Sequence, residues 1–586
     1  MNKTPQITVL DAGGQYCHLI ARRVRDLGVY AEVKPSDTPA SQLEDRRGII
    51  ISGGPASVYE AGSPTVDPEI FELGTPVLGI CYGLQLMAQH LSGKVSKGVK
   101  GEYGLAQLQV LEHDRLFEGF GSGPEVWMSH RDLVTEVPED FVITAKTATC
   151  PIAGMANDWR KLYGIQFHPE VVHTQGGKVL LGNFLFAIAG CEQDWEPARQ
   201  LEELEDEIRR TARGRNVFFF TSGGVDSTVA FALTLKALGR ERVHAAYVDT
   251  GLMREGETEF VREVFEKMAG RSFEVVDARE EFLGKLTGVV EPETKRKIIG
   301  EEFVAVQERV LSSGSFLDGA WILGQGTIYP DTIESGGSAK ADLIKTHHNR
   351  VEGIQRLIEA GRIVEPIAQL YKDEVRRVGN VLGLPSELLD RHPFPGPGLA
   401  IRCLGTTESK PVRKLADGYL LPIESVGVQG DSRTYKQALA LETYDESGFD
   451  QATELANSIR EINRVVALVA AHAPLPEMAS QPGSFEAARL ERLRKADAIV
   501  RRISVESGFE EKVWQFPVVL LPLGTETLRD SIVLRPIDSV DGMTARAVPM
   551  ARNLLDRITK EVLAIDGICA VFYDLTHKPP GTIEWE

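Results

Sequence analysis

The chain has 586 residues, 42% of them hydrophobic and 25% charged, with a formal net charge of −19. A single hydrophobic core stops growing at roughly 250–300 residues, so at least three domains are expected. The acidic balance without a basic block argues against a nucleic-acid partner, and no apolar run approaches the ~18 residues that would span a membrane.

Residues 1–192 alternate short apolar runs (Ile7–Leu10, Gly48–Ile51, Val77–Ile80) with helix-like stretches (His18–Leu27, Leu84–Leu91). That alternation predicts an α/β domain with a largely parallel sheet. The first run begins without a basic, apolar leader, and the six cysteines are scattered without C-x-x-C spacing. A protein of the reducing cytoplasm is expected, with neither a zinc site nor a disulfide frame.

The third run enters Gly79-Ile-Cys-Tyr-Gly83, the form of a nucleophile elbow. A helix N-terminus behind Cys81 would favour its thiolate; an inert buried cysteine is the alternative reading. Farther on, Gly164-Ile-Gln-Phe-His-Pro-Glu170 supplies a base and its orienting group. Residues two apart on an extended segment project to one side, so His168 and Glu170 can face the cysteine together. The glycine turn Ser52-Gly-Gly-Pro55 can present a backbone N–H to an oxyanion.

Together these motifs resemble the class I (triad) glutamine amidotransferase family. The resemblance implies that Cys81 attacks the glutamine amide, His168 shuttles the proton and Glu170 orients the histidine. It also implies that N–H groups near Gly54 and Tyr82 hold the oxyanion, while Gln85 and the Ser129-His130 pair hold glutamine. The chain departs from the family at Arg131, usually glycine, and at Gly14, usually serine.

Residues 193–215 are charged and helix-forming, and read as a solvated interdomain helix. After them come the apolar run Val217–Phe220, the loop Thr221-Ser-Gly-Gly-Val-Asp-Ser-Thr228, and the helix-like Val229–Leu238. Gly223 and Gly224 let the backbone curl so that several N–H groups face one anion, and the helix dipole adds to them. An ordinary strand-to-helix turn uses similar residues. No G-x-x-x-x-G-K-[ST] occurs in the chain. The Ser222 to Ser227 string resembles the loop of enzymes that release pyrophosphate from ATP. Because it has no lysine, that resemblance implies that the charge of the departing pyrophosphate is met by Mg²⁺ and by lysines from elsewhere, with Asp226 the candidate metal carboxylate. Val243–Val248 reads as the next strand, its end at Asp249-Thr-Gly251 facing nucleotide.

Ser-Gly-Gly-Val-Asp-Ser resembles the pyrophosphate loop of the ATP pyrophosphatase family. That implies ATP contacts at Ser222, Gly223, Gly224, Val225, Asp226, Ser227 and Val248. Further segments follow in order: Lys295-Arg-Lys-Ile-Ile-Gly300, Gly324 to Glu334, Ile344-Lys-Thr-His-His-Asn349, Lys372-Asp-Glu-Val375, Arg391 to Gly398 and the terminal Lys578 to Glu586. As a set they resemble the glutamine-hydrolysing GMP synthetase family over essentially the whole chain. The resemblance implies a synthetase domain at 216–402, in which ATP adenylates the C2 oxygen of xanthosine 5′-monophosphate (XMP) and releases pyrophosphate. Ammonia freed from glutamine then displaces AMP to give GMP. Lys345 and Lys372 are the candidates for the missing charges, and residues 338–350 for a lid whose two histidines form hydrogen bonds rather than ligate metal.

Residues 403–586 make a region about twice as long as the single dimerising domain of short members. Its halves, 403–480 and 481–586, repeat the order strand, strand, helix, strand, which suggests duplicated α+β subdomains. A chain that forms this pairing within itself is expected to be a monomer or weak dimer. The resemblance carries XMP binding to Arg296, Asp431, Arg433, Gln515, Lys578, Ile583 and Glu584. Lys578 and an arginine suit a phosphate, and Asp431 and Gln515 suit hydroxyls and amides. Pro579, Pro580 and Trp585 argue for a stiff, tucked-in terminus against the usual fraying. A tRNA-thiolating enzyme with the same loop fits the acidic charge poorly, and a nucleotide sensor has no need of two intact reaction centres.

Overall fold

The computed structural model describes all residues except 1–3, 15, 113, 172, 197–200, 315, 332–356, 358–359, 430–431 and 540–544. The chain divides into two compact units, residues 1–200 with 329–338, and residues 201–328 with 339–586.

In the first unit eight strands form one sheet in the order Ala31–Pro35, Ile7–Asp11, Gly48–Ile51, Val77–Ile80, Leu162–Ile165, Gly154–Asn157, Val142–Lys146, Gln109–Val110. The first five pair in parallel, and the last three run antiparallel. Ile49, Ile50, Ile51, Val77, Leu78 and Ile80 are fully buried. A continuous apolar run is what a parallel strand covered on both faces requires. The helices Cys17–Asp26 and Tyr82–His90 stand beside these strands, and Lys94–Gln107 with Glu125–Glu136 forms a separate antiparallel ribbon. The expected α/β class and largely parallel sheet are therefore found.

The second unit opens with helix Leu201–Ala212. Here the expectation of a solvated helix is corrected. Leu201, Glu205, Ile208 and Ala212 form one buried stripe, packed against helix Val225–Leu238. The stripe is narrow, one residue per turn, and one of its members is charged, so composition concealed it.

A five-stranded, wholly parallel sheet follows, in the order Phe273–Asp277, Val243–Asp249, Asn216–Thr221, Trp321–Gly324, Ile363–Val364. The main sheet of the C-terminal region has seven strands: Arg413–Lys414, Tyr419–Gln429, Ser432–Leu441, Ile462–Ala471, Ile568–Asp574, Asp530–Leu534, Val518–Leu521. On one side, an antiparallel hairpin leads through helix Gly448–Ser458 to a strand parallel to its second arm. On the other, the pair Val518–Leu521 and Asp530–Leu534 leads through helix Arg552–Leu563 to Ile568–Asp574 in the same way. The two sets join edge to edge through antiparallel pairing of Ile462–Ala471 with Ile568–Asp574. No described helix is long and apolar enough to cross a membrane.

Candidate active sites

Cys81 sits between strand Val77–Ile80 and helix Tyr82–His90 with φ +54° and ψ −103°, a conformation that costs a non-glycine residue about 1–3 kcal/mol. Its neighbours explain how the turn is reached. A Cβ on Gly79 would lie 2.5 Å from the Gly83 carbonyl oxygen, and one on Gly83 would lie 2.3 Å from that of Ile51. Only glycine fits either place.

His168 and Glu170 follow strand Leu162–Ile165, and the Nδ1–Oε1 distance between them is 2.7 Å. Both are buried. The His168 amide donates to the Trp127 carbonyl, Arg23 Nε donates to the Glu170 carbonyl at 2.9 Å, and the Tyr16 ring meets the imidazole edge-on at 5.1 Å. A Cβ on Gly53 would stand 3.0 Å from His168 Cε1 and 3.5 Å from Cys81 Cβ, so the cysteine and histidine share one glycine-lined space. Burial opposes charge on His168, but the Glu170 carboxylate and the Cys81 sulfur outweigh it and hold the imidazole up at about 10. The arrangement keeps a charged imidazole beside the cysteine sulfur.

Around this triad, the structure packs the expected oxyanion segments tightly. A Cβ on Gly54 would meet the Ala12 carbonyl oxygen at 2.5 Å, and one on Gly14 would meet that of Gly53 at 2.2 Å. The glycine at position 14, where the family usually has serine, thus lets two backbones touch. Tyr82 is buried, with its hydroxyl donating to the Pro64 carbonyl, and Arg131 is exposed. The Ser129 carbonyl lies 3.7 Å from Cys81 Sγ. His130 bonds the Asp132 carbonyl through Nδ1 at 3.0 Å and faces Glu102 through Nε2 at 3.3 Å. Gln85 donates to the same Asp132 carbonyl at 2.9 Å and to Gln166 Oε1 at 3.3 Å.

Glu102, His130 and Cys150 bring ligand-type atoms within 4.8 Å of one another. Each is engaged already: Glu102 accepts from Thr147, and the Cys150 thiol, pushed up to about 12 by burial and then by Glu102, donates to the Ile152 carbonyl. Motif reasoning gave no role to Glu102, which belongs to no nucleophile, base or oxyanion pattern, nor to Gln166, which stands inside the base motif without being its base or its orienting group.

In the second unit, strand Asn216–Thr221 runs into the glycine loop and helix Val225–Leu238. Gly223 has φ +72°, and a Cβ there would meet Val261 Cγ2 at 2.5 Å. Ser227 and Thr228 turn their hydroxyls onto the Gly224 carbonyl, and Ser222 Oγ accepts from the Gly224 amide. Lys372 Nζ lies 3.6 Å from Asp226 Oδ2, so two predicted residues meet here. A Cβ on Gly326 would come within 2.9 Å of the Ser227 backbone, which places Gly324-Gln-Gly against the loop. Arg391, singled out only as part of a proline-rich segment, donates to the Gly223 carbonyl at 3.4 Å and pairs with Glu257. Val248 is buried in the core at the end of its strand. Lys345, the segment 338–350 and its histidines lie outside the described residues.

Of the residues expected to bind XMP, Asp431 and the side chain of Arg433 also lie outside the described residues. Gln515 Nε2 donates to the Pro393 carbonyl at 2.9 Å and stands 3.4 Å from Glu584 Oε1. Arg296 donates to the Glu586 carbonyl at 2.6 Å. Lys578 pairs through its backbone with Ala545, and the Ile583 carbonyl accepts from Arg535. The terminus is indeed tucked in. Trp585 is fully buried and donates to Asp574, and buried Arg464 reaches the carbonyls of Thr582 and Glu584. A cavity of about 620 Å³ opens beside Trp585 and Glu586, but Glu291, Glu293, Glu408 and Glu424 line it against one cation, Lys410, which is paired with Glu408. Such a wall repels a nucleotide phosphate.

The chain matches the family description "Glutamine amidotransferase class-I" over residues 8–188 and "GMP synthase C terminal domain" over 503–585. It is 45% identical to a protein of Leptospira interrogans named probable GMP synthase (glutamine-hydrolyzing), covering 99% of each chain. It is 40% identical to the GMP synthase (glutamine-hydrolyzing) of Aquifex aeolicus over 100% of each, and 41% identical to that of Caldicellulosiruptor saccharolyticus over 99% of each. A solved glutamine amidotransferase from Thermotoga maritima overlaps 32% of this chain and 99% of its own at 18% identity, with a TM-score of 0.26.

Proposed function

This chain belongs to the glutamine-hydrolysing GMP synthase family, and from that premise we propose how its residues divide the work. The enzyme is a ligase that converts XMP to GMP with ATP and glutamine. The observation that carries the assignment of roles is the 2.7 Å contact of His168 with Glu170 beside a strained Cys81.

In the first unit the Cys81 sulfur attacks the glutamine carboxamide carbon. The carbonyl electron pair moves to oxygen, which the N–H groups near Gly54 and Tyr82 stabilise. His168, held charged by Glu170, delivers its proton to the departing ammonia and then takes one from the water that hydrolyses the thioester. Glutamate leaves and ammonia passes to the second unit.

There the XMP C2 oxygen attacks the α-phosphorus of ATP, and the backbone of Ser222 to Ser227 cradles the departing pyrophosphate at the helix N-terminus. Lys372 supplies positive charge beside Asp226. The Asp226 carboxylate is a hard oxygen donor of the kind that suits Mg²⁺, and it is the residue that would hold the ion. When bound, Mg²⁺ would neutralise charge on the phosphates. Ammonia displaces AMP from C2. Gln515, Arg296, Lys578, Ile583 and Glu584 surround XMP, with Asp431, Arg433 and Lys345 completing the two substrates' contacts.

The two C-terminal strand sets already pair edge to edge within one chain, which supports a monomer or weak dimer; light scattering that gives a tight dimer would overturn this. The central test is GMP formation from XMP and ATP, with glutamine or ammonium as donor. Cys81→Ala is expected to lose only the glutamine-dependent activity. Absence of GMP with either donor in the wild type would refute the assignment.

A further inference from the structure

Gln166 is fully buried and donates from Nε2 to Cys81 Sγ at 3.5 Å. The direction of that bond is dictated from behind. A carbonyl oxygen only accepts, so the Asp132 carbonyl requires the amino end of the Gln85 carboxamide, which stands 2.9 Å away. The same amino group sends its second N–H to Gln166 Oε1 at 3.3 Å. Gln166 must therefore turn its oxygen to Gln85 and its N–H to the sulfur. His130 Nδ1 bonds the same Asp132 carbonyl, and its Nε2 faces Glu102.

We propose that Gln166 is a further catalytic residue of the glutaminase site, its carboxamide N–H donating to the Cys81 sulfur and stabilising it as the anion. The inference rests on the reading of Cys81 as nucleophile. Before proton transfer the thiol can donate to the Ser129 carbonyl, 3.7 Å away. Once His168 holds the proton, the sulfur can only accept, and the Ser129 oxygen then faces an anion. The Gln166 N–H is placed to offset that cost, since hydrogen bonds to charged groups are roughly twice as strong as neutral ones. Gln85 acts as a positioning residue, by fixing which end of Gln166 meets the sulfur.

The test uses the full-length chain and three variants, Gln166→Met, which keeps length without a donor, Gln166→Glu, which keeps shape, and Cys81→Ala. Cys81 alkylation by iodoacetamide is followed against pH by mass spectrometry of its peptide, and the ratio of glutamine-dependent to ammonium-dependent GMP formation is measured. Gln166→Met should move the alkylation midpoint to higher pH by about one unit and lower the ratio about tenfold or more, through kcat rather than the glutamine KM. Gln166→Glu should do so more strongly, and decides the matter if the methionine variant does not fold. An alkylation profile that superimposes on the wild type overturns the inference, whatever the loss of rate. Activity surviving in Cys81→Ala would instead overturn the reading beneath it.

Discussion

Arg402 grips Glu584 through two parallel bonds, Nε to Oε2 at 2.9 Å and Nη2 to Oε1 at 2.7 Å, with the guanidinium wholly buried. Burial alone would raise the Glu584 carboxyl, but Arg402 holds it below the usual range. A side chain expected to touch XMP is thus locked by a planar fork that lysine cannot reproduce. Arg402→Lys should raise the KM for XMP about tenfold with ammonium as donor and leave glutamate release from glutamine within about twofold of wild type. An unchanged KM would mean that Glu584 is held without the fork.

Asp574 lies between two buried arginines, 3.1 Å from Arg464 and 2.7 Å from Arg535, and accepts from the Trp585 indole. The arginines overcome burial and lower its pKa. A depressed carboxylate stabilises the fold above its unfolded pKa of about 3.9, and that contribution is lost as pH falls through the native value. Asp574→Asn leaves two guanidinium groups in the interior without their shared counter-charge. It should cost about 3–5 kcal/mol and lower the calorimetric Tm of the second unit near neutral pH. A Tm within about a degree of wild type would show that hydrogen bonds to the carbonyls of residues 582 to 584 suffice to hold the two arginines.

These two clusters mark where the sequence stopped being readable. Strands such as Gly48–Ile51 and the Cys81 turn were legible because apolar period and glycine spacing are local signals. His168 and Glu170 were legible because two residues on one extended segment suffice to predict a shared face. Arg402 with Glu584 is separated by 182 residues, and Arg464 with Asp574 by 110, so only tertiary structure joins them. Gln166 stood inside a quoted motif, but the polarity of its carboxamide depends on the carbonyl of Asp132, which no residue pattern encodes. The burial of Leu201, Glu205, Ile208 and Ala212 was hidden for the opposite reason, since a one-residue stripe is too narrow to stand out among charges.

His168 gives a pH prediction. Its imidazole is raised from the ordinary 6.5 to about 10, after burial has pulled the other way, by Glu170 and Cys81. The stabilising effect of the charged ring is complete below about 6.5 and disappears as pH rises through about 10. Glutamate release should therefore keep its alkaline limb near pH 10. Glu170→Gln removes the main positive influence and should shift that limb down by about one to two units, with a lower maximum rate. A limb that stays in place would assign it to another group.

The pyrophosphate loop offers a contrast between adjacent glycines. Gly223 has φ +72° and no room for a Cβ, which would lie 2.5 Å from Val261 Cγ2, whereas Gly224 has φ −74° and would meet only Ser222 Oγ, at 3.2 Å. Alanine at 223 adds about 1 kcal/mol or more of left-handed strain to a direct clash. The loop can relieve both only by moving its N–H groups away from the bound phosphates. Alanine at 224 needs no more than a rotation of one hydroxyl. Gly223→Ala should lower GMP formation at least about a hundredfold with either nitrogen donor, and Gly224→Ala by less than about tenfold. Glutamate release by the first unit in the absence of nucleotides should be unchanged in both. Equal losses in the two variants would mean that the loop's catalytic shape does not depend on the left-handed turn at Gly223.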